Sequence, residues 1–129
     1  SHALAHHHHP GAEIVALVNR SVAALPRELQ SYPLFRDFHA ALEATQPDVV
    51  VIATYSDSHA DYACAALEQG AHVFVEKPLA TTRADGRELL TEAARAGVII
   101  GCAPDTFLGA ALQTCIKLID DGWIGEPGA

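Results

Sequence analysis

Short, unbroken runs of apolar and mostly β-branched residues recur along this chain, and stretches of helical periodicity separate them. The clearest run is Val49-Val50-Val51-Ile52-Ala53-Thr54. Glu13-Ile14-Val15-Ala16-Leu17-Val18, His72-Val73-Phe74-Val75-Glu76 and Val98-Ile99-Ile100-Gly101-Cys102 are of the same kind. Runs this short, without polar alternation, suit strands buried on both faces. No Asn-Gly hairpin signal joins one run to the next. Strands linked by helices rather than hairpins have one economical arrangement, a parallel sheet with crossover helices on its faces. The expected class is therefore α/β.

The helical stretches carry their own punctuation. Ser58, with Asp61 three residues on, has the form of a capping box; Ala60, Ala63, Cys64 and Leu67 make one apolar stripe, and Gly70 ends it. Thr82 and Asp85 repeat the cap, Leu89, Leu90, Ala93 and Ala94 line the helix, and Gly97 closes it. Asp105 or Thr106 opens a last helix, lined by Leu108, Ala111, Leu112, Cys115 and Ile119 and ended by Gly122. Earlier in the chain the pattern is weaker. Residues 21–30 are only loosely helical and Pro26 interrupts them, while Pro33-Leu34-Phe35-Arg36 reads as a short strand leading into a helix over residues 37–44.

Length and charge narrow the function classes. The 129 residues suffice for one domain with a real core, and 50% of them are hydrophobic against 19% charged, a globular balance. Eight basic and sixteen acidic side chains leave a formal net charge of −8. That excludes the basic surface a nucleic-acid partner or an anionic membrane needs. No apolar run reaches the roughly 20 residues of a membrane span, and no signal peptide opens the chain, so a cytoplasmic location is expected. Cys64, Cys102 and Cys115 form no CxxC pair and read as reduced core residues. His6, His7, His8 and His9 cannot all face one ion from a helix, so no metal site is assigned.

In open parallel sheets, ligands bind beyond the carboxyl ends of the strands. Here those ends read Asn19-Arg20-Ser21, Thr54-Tyr55-Ser56-Asp57-Ser58-His59, Glu76-Lys77-Pro78 and Ala103-Pro104-Asp105-Thr106. Polar and ionisable residues gather there, which marks this edge as the candidate site. Asp105 has two readings, a base at a strand end or the N-cap of the following helix.

The stretch Gly70-Ala71-His72-Val73-Phe74-Val75-Glu76-Lys77-Pro78-Leu79-Ala80 strongly resembles the G-x-H-V-x-x-E-K-P-x-A segment of the glucose-fructose oxidoreductase / inositol dehydrogenase / rhizopine-catabolism (Gfo/Idh/MocA) family. Residues 47–54 followed by Ser58-His59-Ala60 are similar to the family's fourth strand and next helix, and residues 118–127 to its hinge into a second domain. The resemblance runs from about His9 to Pro127. It implies a Rossmann-like, doubly wound parallel sheet and an NAD(P)-dependent oxidoreductase that passes hydride between nicotinamide and a sugar, cyclitol or polyol-like small-molecule substrate. In that reading Lys77 is the catalytic residue, beside the nicotinamide and the reacting hydroxyl, where a cation offsets developing alkoxide charge. Glu76 contacts the nicotinamide ribose, Pro78 fixes the turn with a Lys77–Pro78 bond that is a candidate cis peptide, and Ala53, Thr54, Tyr55 and His59 line the cofactor groove. Asn19, Arg20 and Ser21 stand where such domains read the adenine ribose. Arg20 in place of an acid tips the choice toward NADP over NAD, although it can equally face solvent or stack on adenine.

The chain also departs from the family pattern. The first strand and the glycine-rich loop have no counterpart upstream of residue 1, and the second α+β domain, which carries the family's Asp/His acid–base pair, has none downstream. The resemblance thus implies a partial NAD(P)-binding Rossmann domain over residues 1–124, with residues 125–129 beginning a linker. It implies a fragment inactive on its own and a homo-oligomeric full-length protein. Ala103-Pro104-Asp105-Thr106-Phe107 replaces the family's usual Arg-Phe segment. Two alternatives use the same pattern: a non-catalytic nucleotide sensor on the same fold, and a receiver-like domain, which the Asn19-Arg20 strand end disfavours for want of clustered acids.

Overall fold

The computed structural model describes residues 2–19, 21, 25–104, 106–125 and 128. Its elements alternate as the hydrophobic pattern requires. Helix α1 (His2–His7) precedes β1 (Leu17–Val18), a 3-10 turn (Arg27–Leu29), β2 (Leu34–Phe35) and α2 (Phe38–Thr45). Strand β3 (Val49–Ile52) leads through a 3-10 turn (Ser56–Ser58) into α3 (His59–Glu68). Then come β4 (His72–Val75), α4 (Arg83–Ala96), β5 (Ile100–Cys102), a 3-10 turn (Thr106–Leu108) and α5 (Ala110–Asp120).

The strands form two parallel sheets, β1-β2 and β3-β4-β5. In the larger one, α3 packs over β3 and β4, while α4 packs against α3 and β5. Leu42, Ile52, Ala63, Ala66, Leu67, Ala71, Val73, Val75, Leu89 and Ala93 are the buried core of this layer. The alanines of α3 remove bulk from the face that meets the sheet. Val73 and Val75 are fully buried, whereas Phe74 between them is half-buried and points the other way, toward the His2 ring 5.7 Å off. Burial on both faces, expected for these strands, is thus met on the α3/α4 face and only partly on the other.

Two helix starts follow their cap residues. The Asp37 carboxylate accepts from the Ala40 N–H (2.8 Å), and the Thr82 hydroxyl accepts from the Asp85 N–H (3.2 Å). Gly70 and Gly97 follow α3 and α4 with φ of 81° and 71°, in the left-handed region that favours glycine. Ser58 does not cap α3. Its hydroxyl donates to the Tyr55 carbonyl (2.8 Å) and lies 2.8 Å from Thr54 Oγ1, because the Ser56–Ser58 turn already feeds the chain into the helix.

Further expectations are corrected. Only Leu17 and Val18 of residues 13–18 pair in a sheet. Of residues 98–102, β5 takes the last three, while the Ile99 N–H donates to His72 Nδ1 (2.9 Å) and its carbonyl accepts from the Val73 N–H (2.9 Å). The buried face of α3 is His59, Ala63, Ala66 and Leu67, with Ala60 and Cys64 half-buried at its margin. On α4, Leu89 and Ala93 are buried but Leu90 is 56% exposed. Between residues 21 and 30 the described helical structure is the Arg27–Leu29 turn. Helix α5 starts after Gly109, not at residue 105 or 106, and none of its side chains is buried. Its expected inner face, Leu108, Ala111, Leu112, Cys115 and Ile119, stays exposed except for half-buried Ile119.

Candidate functional site

Parallel register brings three chain segments to one edge. Ile52 pairs with Val75, and Val75 with Cys102, so the three strands end level with one another. Main-chain bonds carry this order one residue further: the Glu76 N–H donates to the Ile52 carbonyl (2.8 Å) and the Ala103 N–H to the Val75 carbonyl (3.0 Å). Residues 53–55, 76–78 and 103–104 therefore leave the sheet side by side. Ala53, Thr54, Tyr55, Glu76, Lys77 and Pro78, expected to lie together, share this edge. Lys77 and Tyr55 are exposed, Tyr55 to 76%.

Glu76 is the best-tied of these groups. Its Oε1 accepts from His2 Nε2 (2.7 Å) and its Oε2 from the Lys77 N–H (3.2 Å). The His2 bond first, and the Lys77 N–H after it, hold the Glu76 carboxyl below the usual carboxylate range. Its carboxylate is thus kept ionised beside the Lys77 backbone. Cys102, at the end of β5, donates its thiol to the Ala103 carbonyl (2.8 Å); burial, and then the Glu76 charge, push that thiol up.

His59 departs from its expected place in the groove. It is 1% exposed, with Nδ1 2.7 Å from the Pro78 carbonyl and Nε2 3.1 Å from the Thr54 carbonyl. The ring lies beneath the edge instead of lining it. The Lys77–Pro78 peptide is cis, as the motif suggested, and so is Ala103–Pro104. Asn19 stands at the end of the other sheet, where its N–H donates to the Phe35 carbonyl (3.0 Å), and Ser21 is exposed. Arg20 and Asp105 lie outside the described residues. The partnership of His2 with Glu76 was not read from the sequence. Seventy-four positions separate the two, and no local pattern marks such a pair.

Among the described residues no group of histidine, cysteine or carboxylate side chains has metal-holding geometry. Cys64 and Cys102 are half-buried, but Cys115 is exposed, against the expectation of a core residue. No described helix is long and apolar enough to cross a membrane.

The sequence model of an oxidoreductase family with an NAD-binding Rossmann fold, Gfo/Idh/MocA, matches residues 1–103. The chain belongs to the Gfo/Idh/MocA oxidoreductase family. Among its Gfo/Idh/MocA relatives, D-apiose dehydrogenase of Paraburkholderia graminis is 36% identical over 120 residues, covering 91% of this chain and 32% of that enzyme. Inositol 2-dehydrogenase of Pseudomonas fluorescens is 30% identical over 125 residues, covering 91% of this chain and 36% of the relative. The WlbA dehydrogenase of Bordetella pertussis, solved with NADH and UDP-GlcNAcA, superposes with a TM-score of 0.83 at 29% identity, over 93% of this chain and 35% of that one. The chain thus spans about a third of the length of the relatives it matches. The expected α/β Rossmann-like class is the class observed.

The edge suits one half of a dinucleotide. A carboxylate held ionised is a proper acceptor for ribose hydroxyls, an exposed ammonium stands next to it in sequence, and an exposed phenol offers a flat face for a ring. For the diphosphate the described residues supply no glycine turn at this edge. Those with positive φ, Gly70, Gly97, Gly122 and Gly125, follow helices or lie beyond α5.

Proposed function

We propose that this chain is the nucleotide-binding part of an NAD(P)-dependent oxidoreductase acting on a sugar, cyclitol or polyol-like substrate. The observation that carries the reading is the level edge of β3 and β4, where Thr54, Tyr55, Glu76 and Lys77 meet in a member of an NAD-binding family. The dehydrogenases of D-apiose and inositol among its relatives support the substrate class.

When bound, a nicotinamide cofactor accepts or supplies the hydride. The chain's own residues then have separable tasks. Glu76 binds ribose hydroxyls through the carboxylate that His2 and the Lys77 N–H keep ionised. Lys77 would place a cation beside the reacting oxygen of the substrate, where it would offset developing alkoxide charge, a stabilisation greatest in the transition state. Tyr55 and Thr54 form the adjacent wall.

The test is an NMR titration of the chain with NADH and with NADPH. The amides of Thr54, Tyr55, Glu76 and Lys77 are expected to shift in a saturable way, and the tighter nucleotide identifies the cofactor. Glu76→Ala should weaken that binding roughly tenfold, the loss of a hydrogen bond to a charged acceptor. If these amides ignore both nucleotides at millimolar concentration, the reading fails.

A further inference from the structure

We propose that His59 is a positioning residue for the Lys77 turn. Its buried imidazole, carried at the start of the helix that follows β3, holds the exit of β4 and so sets the direction from which the Lys77 ammonium projects. The value of that ammonium to catalysis rests on the function proposed above; the tie itself does not.

His59 is the one buried polar side chain among the described residues. It opens α3, whose inner face otherwise consists of Ala63, Ala66 and Leu67. Placing an imidazole in such a layer is costly unless its nitrogens find partners. Each nitrogen faces a main-chain carbonyl, and both carbonyls belong to loops of the site. Nδ1 lies 2.7 Å from the Pro78 carbonyl and Nε2 3.1 Å from the Thr54 carbonyl. The last ladder bond between the two strand exits joins Glu76 to Ile52. Beyond it the backbones part, and the Thr54 hydroxyl turns away to Ser58. The imidazole spans the gap that follows.

The two contacts are not equivalent. Both partners are acceptors, and a neutral ring donates from one nitrogen only. The shorter contact is to Pro78, the residue after Lys77, so the geometry assigns the donated proton to Nδ1. The carbonyl of the Pro78–Leu79 peptide is gripped on one side of Lys77, and the Lys77 N–H is held by Glu76 at 3.2 Å on the other, so the turn is held on both sides of the Lys77 side chain.

The test uses the 129-residue chain and two substitutions that keep one nitrogen each. The amide nitrogen of His59→Asn lies as many bonds from Cβ as Nδ1 does, and that of His59→Gln as many as Nε2. His59→Leu keeps neither. In the parent chain, ring nitrogen shifts should show the proton on Nδ1. Hydrogen exchange at the Lys77 amide should be within about twofold of the parent in H59N and about tenfold faster in H59Q and H59L, the effect of one hydrogen bond. Exchange in the β4 amides Val73 and Val75 should stay unchanged. Because H59N and H59Q are both polar and similar in size, their comparison holds even if H59L fails to fold. An unprotonated Nδ1 in the parent overturns the proposal, as does Lys77 exchange that is the same in H59N as in H59Q. NADH titration of the parent is read separately. Absence of binding there defeats the cofactor reading, while the exchange data still decide the tie.

Discussion

Glu76 takes one hydrogen bond from a side chain far away in sequence and one from its immediate neighbour. Its folded carboxyl is held below the ordinary value, with the His2 bond as the first cause. The folded state thereby gains stability that is present above the unfolded carboxyl's titration and lost as pH falls through the lowered folded value. Substituting His2→Ala should move the Glu76 midpoint upward toward that of an ordinary glutamate, followed by carboxyl carbon NMR. An unmoved midpoint would show that the imidazole does not act on Glu76. At this scale the sequence was informative about chemistry and poor about partners. The acid–base–proline triplet announced an edge that polar groups do occupy, because a strand end is a local event. His59 sat in the expected segment, yet which way its ring turns depends on the packing of α3 against the sheet, which residues 58–61 alone do not encode.

Helices show the same limit from another side. On α4, Leu89 and Leu90 carry identical chemistry, and a heptad-like pattern admits both to the inner face. The structure buries Leu89 to 1% exposure and leaves Leu90 outside. Truncating the first leaves a cavity, and truncating the second removes little from the core. Leu89→Ala should therefore cost about 2–5 kcal/mol and Leu90→Ala under about 0.5 kcal/mol, as read from urea denaturation midpoints. Equal losses would place the α4 interface wrongly. The cap was legible at Thr82, whose hydroxyl accepts from an N–H three residues on, whereas Asp37, read as the first helical residue, caps α2 instead. Ser58 misled because the preceding 3-10 turn offers its hydroxyl nearer partners. For α5 the periodicity identified a helix with an apolar face. Periodicity does not specify what a face packs against, and α5 buries none of its residues.

Across the molecule, the β3-β4-β5 layer was read most fully, since unbroken apolar runs identify strands whatever lies beside them. The short β1-β2 pair was read least well. Residues 13–16 have strand composition but no ladder partner among the described residues, and pairing is decided by neighbours remote in sequence. The larger sheet begins at β3, an edge strand on which Val49 is 54% exposed. Exposed apolar edges template association. Sedimentation velocity at rising concentration should detect self-association in the parent chain and less of it in Val49→Lys; equal behaviour would acquit the edge. The level finish of the three strands has a different consequence. Since Ile52, Val75 and Cys102 stand in register, the loops that follow them set out from a common plane. Beyond the Thr54 and Pro78 carbonyls that His59 faces, each can lengthen, shorten or change its chemistry, so one scaffold of this shape can acquire new substrates by editing its rim while its folding remains the same problem.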